Sequence, residues 1–263
     1  MRQRSAVKSD FSSWVIFMTY CVAAVTGDGI VFASDSRTNA GVDQLGIFSK
    51  MTVIEAPEDR VVVLLSAGNL ASTQSVISLL KLRMRNESGE INPEGLLGLR
   101  SLYDVAALVG DTMREVITRD GPVLTQQNID PGCTFILGGQ INGKAQRLFL
   151  IYPQGNFIES SRETNFFQIG ETKYGKPIID RVVNFESSLK DVAKCLLVSF
   201  NSTMRSNLSV GPPIDLLAYE KDAMRVTLRQ RFTENDPYFS EIGRFWSAGL
   251  KRIFVEAPDV PWG

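Results

Sequence analysis

The chain contains no histidine. A Ser-His-Asp or Cys-His arrangement is therefore excluded, and any activated hydroxyl has to take an amine or a carboxylate as its base. Cysteine is scarce: Cys21, Cys133 and Cys195 are odd in number and widely spaced, giving neither a disulfide framework nor a metal-ligand cluster. That usage suits a reducing, cytoplasmic compartment, and the apolar neighbours of Cys21 and Cys195 make packing the expected role of all three. No stretch approaches the roughly 20 consecutive apolar residues that span a bilayer, so no membrane partner is expected. Neither sign of charge dominates either. The formal net charge is -1 with no basic stripe, which disfavours nucleic acid as a partner.

What is present is an ordinary globular balance of 44% hydrophobic and 22% charged residues in 263, enough for one large domain with a sizeable core. Short β-prone runs at 19–25 and 30–34 flank Gly27-Asp28-Gly29, and a second pair at 51–55 and 60–66 flanks Pro57-Glu58-Asp59. The period then changes, and the spacing predicts helices over 72–86 and 101–118 with a loop at 88–100. Strands follow at 133–139 and 147–152 around Asn142-Gly143, and again at 166–169. Helices at 176–183 and 187–204, strands at 214–221 and 225–232, and a last helix over 238–254 complete the chain. Ile242, Phe245, Trp246, Leu250 and Ile253 have the spacing of that last helix's buried side. Hairpins, two helices, hairpins, two helices and closing strands do not alternate as βαβ units; they predict an α+β fold, a four-layer sandwich.

One stretch carries chemistry. Thr19 stands directly behind Met18, Asp35 follows it by sixteen positions and Lys50 by fifteen more. As the first residue of a mature chain, Thr19 would supply both a hydroxyl nucleophile and an α-amine with a reference pKa of about 7.7–8.0, able to accept the hydroxyl proton at neutral pH. Lys50 would stabilise alkoxide character, and Asp35 would keep that ammonium charged and oriented. Residues 1–17 carry Arg2, Arg4 and Lys8, but the apolar run Trp14-Val15-Ile16-Phe17 is too short for an export signal. Two readings of this extension stand: translation begins at Met18, or residues 1–17 are a propeptide. Residues 18–263 form the single domain.

From Thr19 to Lys50 the sequence resembles the start of a proteasome β-type subunit, with threonine, the Asp35-Ser36-Arg37 signature and a lysine one residue short of the common spacing. Three further stretches resemble the bacterial proteasome-related subgroup called Anbu: Val31 to Gly41, Gln168 to Pro177, and Met204 to Gly211. The resemblance runs from Met18 to about Phe254. It implies an N-terminal nucleophile hydrolase fold and threonine peptidase activity on peptide or related amide bonds, needing no metal or organic cofactor. It also implies a homo-oligomer, as a ring or helical stack, and leaves delivery of substrate by an ATP-driven unfoldase open. By the same resemblance Gly68 in Ser66-Ala67-Gly68 is the oxyanion donor, with Ser66 near the first specificity pocket. Where relatives carry Gly-Ser-Gly this chain reads Gly170-Glu171-Thr172, and where they carry Asp-x-x-Ser-Gly it retains Ser209 but has Ser206 at the acid position. Glu171 or Thr172 would take over part of that outer role. The catalytic set so implied is Thr19, Asp35, Lys50, Gly68 and Ser209, while Arg37 is expected to order its loop by pairing with a carboxylate. A catalytically silent assembly subunit and a non-proteolytic amidase for small or γ-linked peptides are the alternatives.

Overall fold

A computed structural model describes residues 19–39 and 45–262. The expected extension, residues 1–17, and Met18 lie outside the described residues. The chain runs β1 (Tyr20–Thr26), β2 (Gly29–Asp35), β3 (Arg37–Asn39), β4 (Leu45–Ile47), β5 (Met51–Ala56), β6 (Arg60–Gly68), α1 (Leu70–Leu82), α2 (Leu102–Gln126), β7 (Cys133–Ile141), β8 (Arg147–Ile151), β9 (Phe157–Glu159) and β10 (Phe166–Gly170). It continues through α3 (Lys176–Val182), α4 (Leu189–Ser206), β11 (Ile214–Glu220), β12 (Leu228–Phe232) and α5 (Pro237–Glu256).

Two five-stranded sheets result, in the orders β10-β1-β2-β11-β12 and β5-β6-β7-β8-β9, and both are antiparallel throughout. Alternate residues of each central strand face opposite layers. In β1, Tyr20, Val22 and Ala24 pack with Leu196, Phe200 and other residues of the α3–α4 layer. Cys21, Ala23 and Val25 instead face Val61, Val63 and Leu65 of β6 between the sheets. The other faces of β6 and β7 join α1 and α2 in a third cluster around Val62, Leu64, Val105 and Val109. Helices therefore cover both outer faces, and the architecture is the expected four-layer α+β sandwich. Burial on both sides explains why β1, β2 and β6 read as unbroken apolar runs.

Local chemistry sets most boundaries. The β1–β2 hairpin closes on the Thr26–Gly29 pair, leaving a two-residue turn at Gly27-Asp28. Asn69, Ser101, Ser188 and Asp236 cap α1, α2, α4 and α5 by accepting backbone N–H groups through their side chains. Helix α2 continues beyond the expected end at residue 118 and through Gly121-Pro122; the proline removes one backbone donor close to the helix end without breaking the run. The short β3, β4 and β9 are additions, too brief to leave a pattern.

The expected buried side of α5 needs correction. Only its first half packs: Phe239 and Ile242 are buried and Trp246 is half-buried against α4. Phe245, Leu250 and Ile253 are exposed, as are Phe254 and Val255. The period is helical as read, but beyond Trp246 the helix outruns the layer that would cover it.

Phe32 is fully buried between the sheets. Phe32→Ala is expected to lower stability by about 3–5 kcal/mol, through lost transfer energy plus the residual cavity; chemical denaturation followed by circular dichroism measures it.

Candidate active site

The strand pairing brings three chain segments to one point. Thr19 immediately precedes β1, and Asp35 ends its neighbour β2, so the Tyr20 N–H donates to Asp35 Oδ1 at 3.0 Å. On the other flank the Glu171 N–H donates to the Thr19 carbonyl at 2.6 Å. Gly170 makes that approach possible. Its φ is +81°, and a Cβ there would lie 1.8 Å from the Thr19 carbonyl oxygen.

Lys50 arrives from the segment before β5, held by the Ser66 N–H, which donates to its carbonyl at 3.0 Å. Its Nζ donates to both Asp35 oxygens at 2.8 Å and to the Arg37 carbonyl at 2.7 Å. Asp35 is 0% exposed and Lys50 8%. Burial pushes the Asp35 carboxyl above its ordinary value, while the Lys50 charge and hydrogen bond, the Tyr20 N–H and the Gly211 N–H work in the opposite direction. Three acceptors around Nζ use all three ammonium protons.

Thr19, Lys50 and Gly68 line one cavity of about 230 Å³, together with Arg37, Ser49 and Ser66. Gly68 closes β6 with φ +106°, and a Cβ would sit 2.4 Å from the Gly132 carbonyl oxygen, so the bend that turns the strand end into the cavity wall admits glycine alone. Leu70, Thr73, Gln74, Ile77 and Ser78 complete a wall. These are i, i+3, i+4, i+7 and i+8 of α1, one face of the helix. The sequence did carry that stripe, on the side opposite the apolar positions used to recognise the helix.

The outer residues are arranged differently from the expectation. Ser209 is outside the cavity lining; its Oγ donates to Asn207 Oδ1 at 2.6 Å. Asn207 Nδ2 in turn donates to Glu171 Oε2 at 3.0 Å. Ser206, at the acid position by resemblance, is exposed, and Asn207, which the sequence reading passed over, links the two segments instead. Thr172 offers its carbonyl to the Lys176 N–H. Among the described residues Arg37 donates to Leu208 O at 3.1 Å, with its guanidinium against Gly211. A further buried acid, Asp215, accepts from Ser36 Oγ at 2.8 Å and Ser49 Oγ at 3.3 Å. Nothing in its local sequence marks it, because only sheet pairing with Ser34 brings it beneath the site. The three cysteines are buried and free; burial raises each thiol, Cys133 and Cys195 to about 12. Among the described residues no cluster of His, Cys, Asp or Glu could hold a metal ion.

Removing one member of the Asp35–Lys50 pair leaves an uncompensated buried charge. Lys50→Ala is expected to cost about 3–5 kcal/mol, and the double variant Asp35→Ala/Lys50→Ala less than the sum of the two singles. Urea melts of the three variants provide the comparison.

No protein-family model and no curated protein matches the chain. Solved structures do. Anbu from Yersinia bercovieri is 47% identical with a TM-score of 0.85, over 93% of this chain and 100% of that one. The Anbu helical assembly from Pseudomonas aeruginosa is 49% identical with a TM-score of 0.85, over 92% and 98%. Anbu from Hyphomicrobium sp. strain MC1 is 45% identical with a TM-score of 0.84, over 93% and 100%. Likeness of this degree, along nearly the whole of each chain, is that of one family: the chain belongs to Anbu, the ancestral β-subunits of the proteasome-related N-terminal nucleophile hydrolases.

Proposed function

We propose that this chain is a threonine peptidase subunit that hydrolyses peptide or related amide bonds from within a homo-oligomer. One observation carries the reading: the cavity's lysine is saturated by Asp35 and the Arg37 carbonyl. With that amine committed as a cation and no histidine in the chain, the base left for Thr19 is its own α-amine once its nitrogen is free.

The steps follow from that assignment. Thr19 Oγ bonds to the substrate carbonyl carbon while its proton passes to the α-amine, and the carbonyl electrons move onto oxygen, where the Gly68 N–H donates. Collapse breaks the C–N bond, and the ammonium proton leaves with the departing amine. Water, deprotonated by the same amine, then cleaves the ester and restores the hydroxyl. The Lys50 charge lowers the energy of anionic character at Oγ throughout.

Self-assembly is supported separately. One of the similar structures is described as a helical assembly. In this chain the far half of α5 exposes five large apolar side chains, Phe245, Leu250, Ile253, Phe254 and Val255, a concentration of the kind that marks a protein contact.

Intact mass tests the chemistry first: the purified protein is expected to begin at Thr19. A peptide library should then be cleaved by the wild type and not by Thr19→Ala. Equal signal from both sinks the peptidase reading, and an acylated Thr19 nitrogen with no turnover favours the silent assembly subunit. Phe254→Glu is expected to shift the protein toward smaller species by light scattering at matched concentration, with the circular dichroism spectrum unchanged.

A further inference from the structure

Asp215 is 7% exposed, in a strand whose other residues from Ile214 to Tyr219 are apolar and buried. Alternation along β11 puts it on the same face as Leu217 and Tyr219, in the layer between the sheets. A carboxylate there carries a desolvation cost that an apolar side chain would avoid. Its partners show where the compensation lies. Oδ2 accepts from Ser36 Oγ at 2.8 Å and from Ser49 Oγ at 3.3 Å, and Oδ1 lies 3.6 Å from Arg231 Nε.

Each of those hydroxyls stands one residue from a member of the buried ion pair. Ser36 follows Asp35, and its backbone is gripped as well, the N–H donating to the Pro213 carbonyl at 2.8 Å and the carbonyl accepting from the Phe48 N–H at 3.0 Å. Ser49 precedes Lys50; its single hydroxyl proton is shared with the Met51 carbonyl at 3.1 Å, which makes Ser36 the firmer arm. We infer that Asp215 is a positioning residue for the Asp35–Lys50 pair, acting through the Ser36 and Ser49 hydroxyls to fix where the Lys50 ammonium stands beside Thr19. This role rests on the proposed function, in which Lys50 is the charge beside Oγ. Asp215 itself is outside the cavity lining and touches no reacting atom.

The chemistry of the anchor explains why an acid is used. One oxygen takes both hydroxyls while the other faces a guanidinium, and only a carboxylate offers acceptors on both sides. Asparagine would have to turn its amide nitrogen toward Arg231 or toward the hydroxyls, and in either pose an acceptor is lost. Shape is kept and the anchor is not. Reaction geometry is steep in position, since a misplacement of about 1 Å arising far from the chemistry can cost about 10²-fold. The loss falls on kcat rather than KM, because the Lys50 charge acts on the anionic Oγ and not on the bound substrate.

The test uses the purified protein as expressed, with folding followed by circular dichroism. Peptide cleavage, measured well below the melting temperature of each variant, should show kcat lowered at least about tenfold in Asp215→Asn and in Ser36→Ala, with KM unchanged. The double variant should be no slower than the slower single, since both break the same contact. Lys50 is also read without turnover, by brief reductive methylation and peptide mass mapping. It is protected in the wild type, and the protection is lost in Asp215→Asn while the exposed Lys190 serves as control. An acid that only holds the sheet together would lower the melting temperature and move neither reading. A folded Asp215→Asn that keeps the wild-type kcat, or the wild-type protection of Lys50, overturns the inference, as does a double variant whose losses add. Should Asp215→Asn fail to fold, Ser36→Ala leaves the acid in place beside Arg231 and decides on the same two readings. A wild type without turnover counts against the proposed function alone, and the labelling of Lys50 then decides the inference.

Discussion

The Asp35–Lys50 pair ties the rim of one sheet to the rim of the other. Through the Tyr20 N–H it holds the start of β1, through the Arg37 carbonyl the start of β3, and through the Lys50 carbonyl and Ser66 N–H the far end of β6. A pair this deeply buried is a weak source of net stability, because desolvation offsets most of the attraction. Its effect is on geometry. Neither charge can leave without stranding the other, so the pair holds the strand ends around Thr19 in one arrangement.

Below that point the sandwich acts as a rigid frame. Each sheet is covered on both faces, so the strands cannot slip register without turning buried side chains into the wrong layer. The site sits where strand ends leave the frame. There the backbone needs two positive-φ glycines, Gly68 and Gly170, one on each side of Thr19. Precision comes from the sheets and access from their rims.

Much of this was legible in the sequence, for physical reasons. Strands buried on both sides leave continuous apolar runs, and the hydroxyl, acid and amine lie at the ends of such runs, where the boundaries are sharpest. Gly68 was marked by the resemblance of Ser66-Ala67-Gly68 to the family's segment. The outer partners were not legible, because they depend on pairings between distant segments: Asp215 reaches the site only through β2 and β11, and Asn207 stands one residue beyond the place where an acid was sought. The far half of α5 failed differently. A helical apolar stripe declares that something will cover it, and nothing in one chain's sequence says whether the cover is intramolecular.

On the proposed function, the wall made by α1 separates what is cut from how it is cut. Every side chain that helix contributes to the cavity comes from nine consecutive positions, Leu70 to Ser78, on one side of a unit capped by its own Asn69. Thr19, the Asp35–Lys50 pair and Gly68 all lie outside that stretch. A lineage could therefore change its diet by substitutions within a single short coding segment while the reaction itself stayed under unaltered selection.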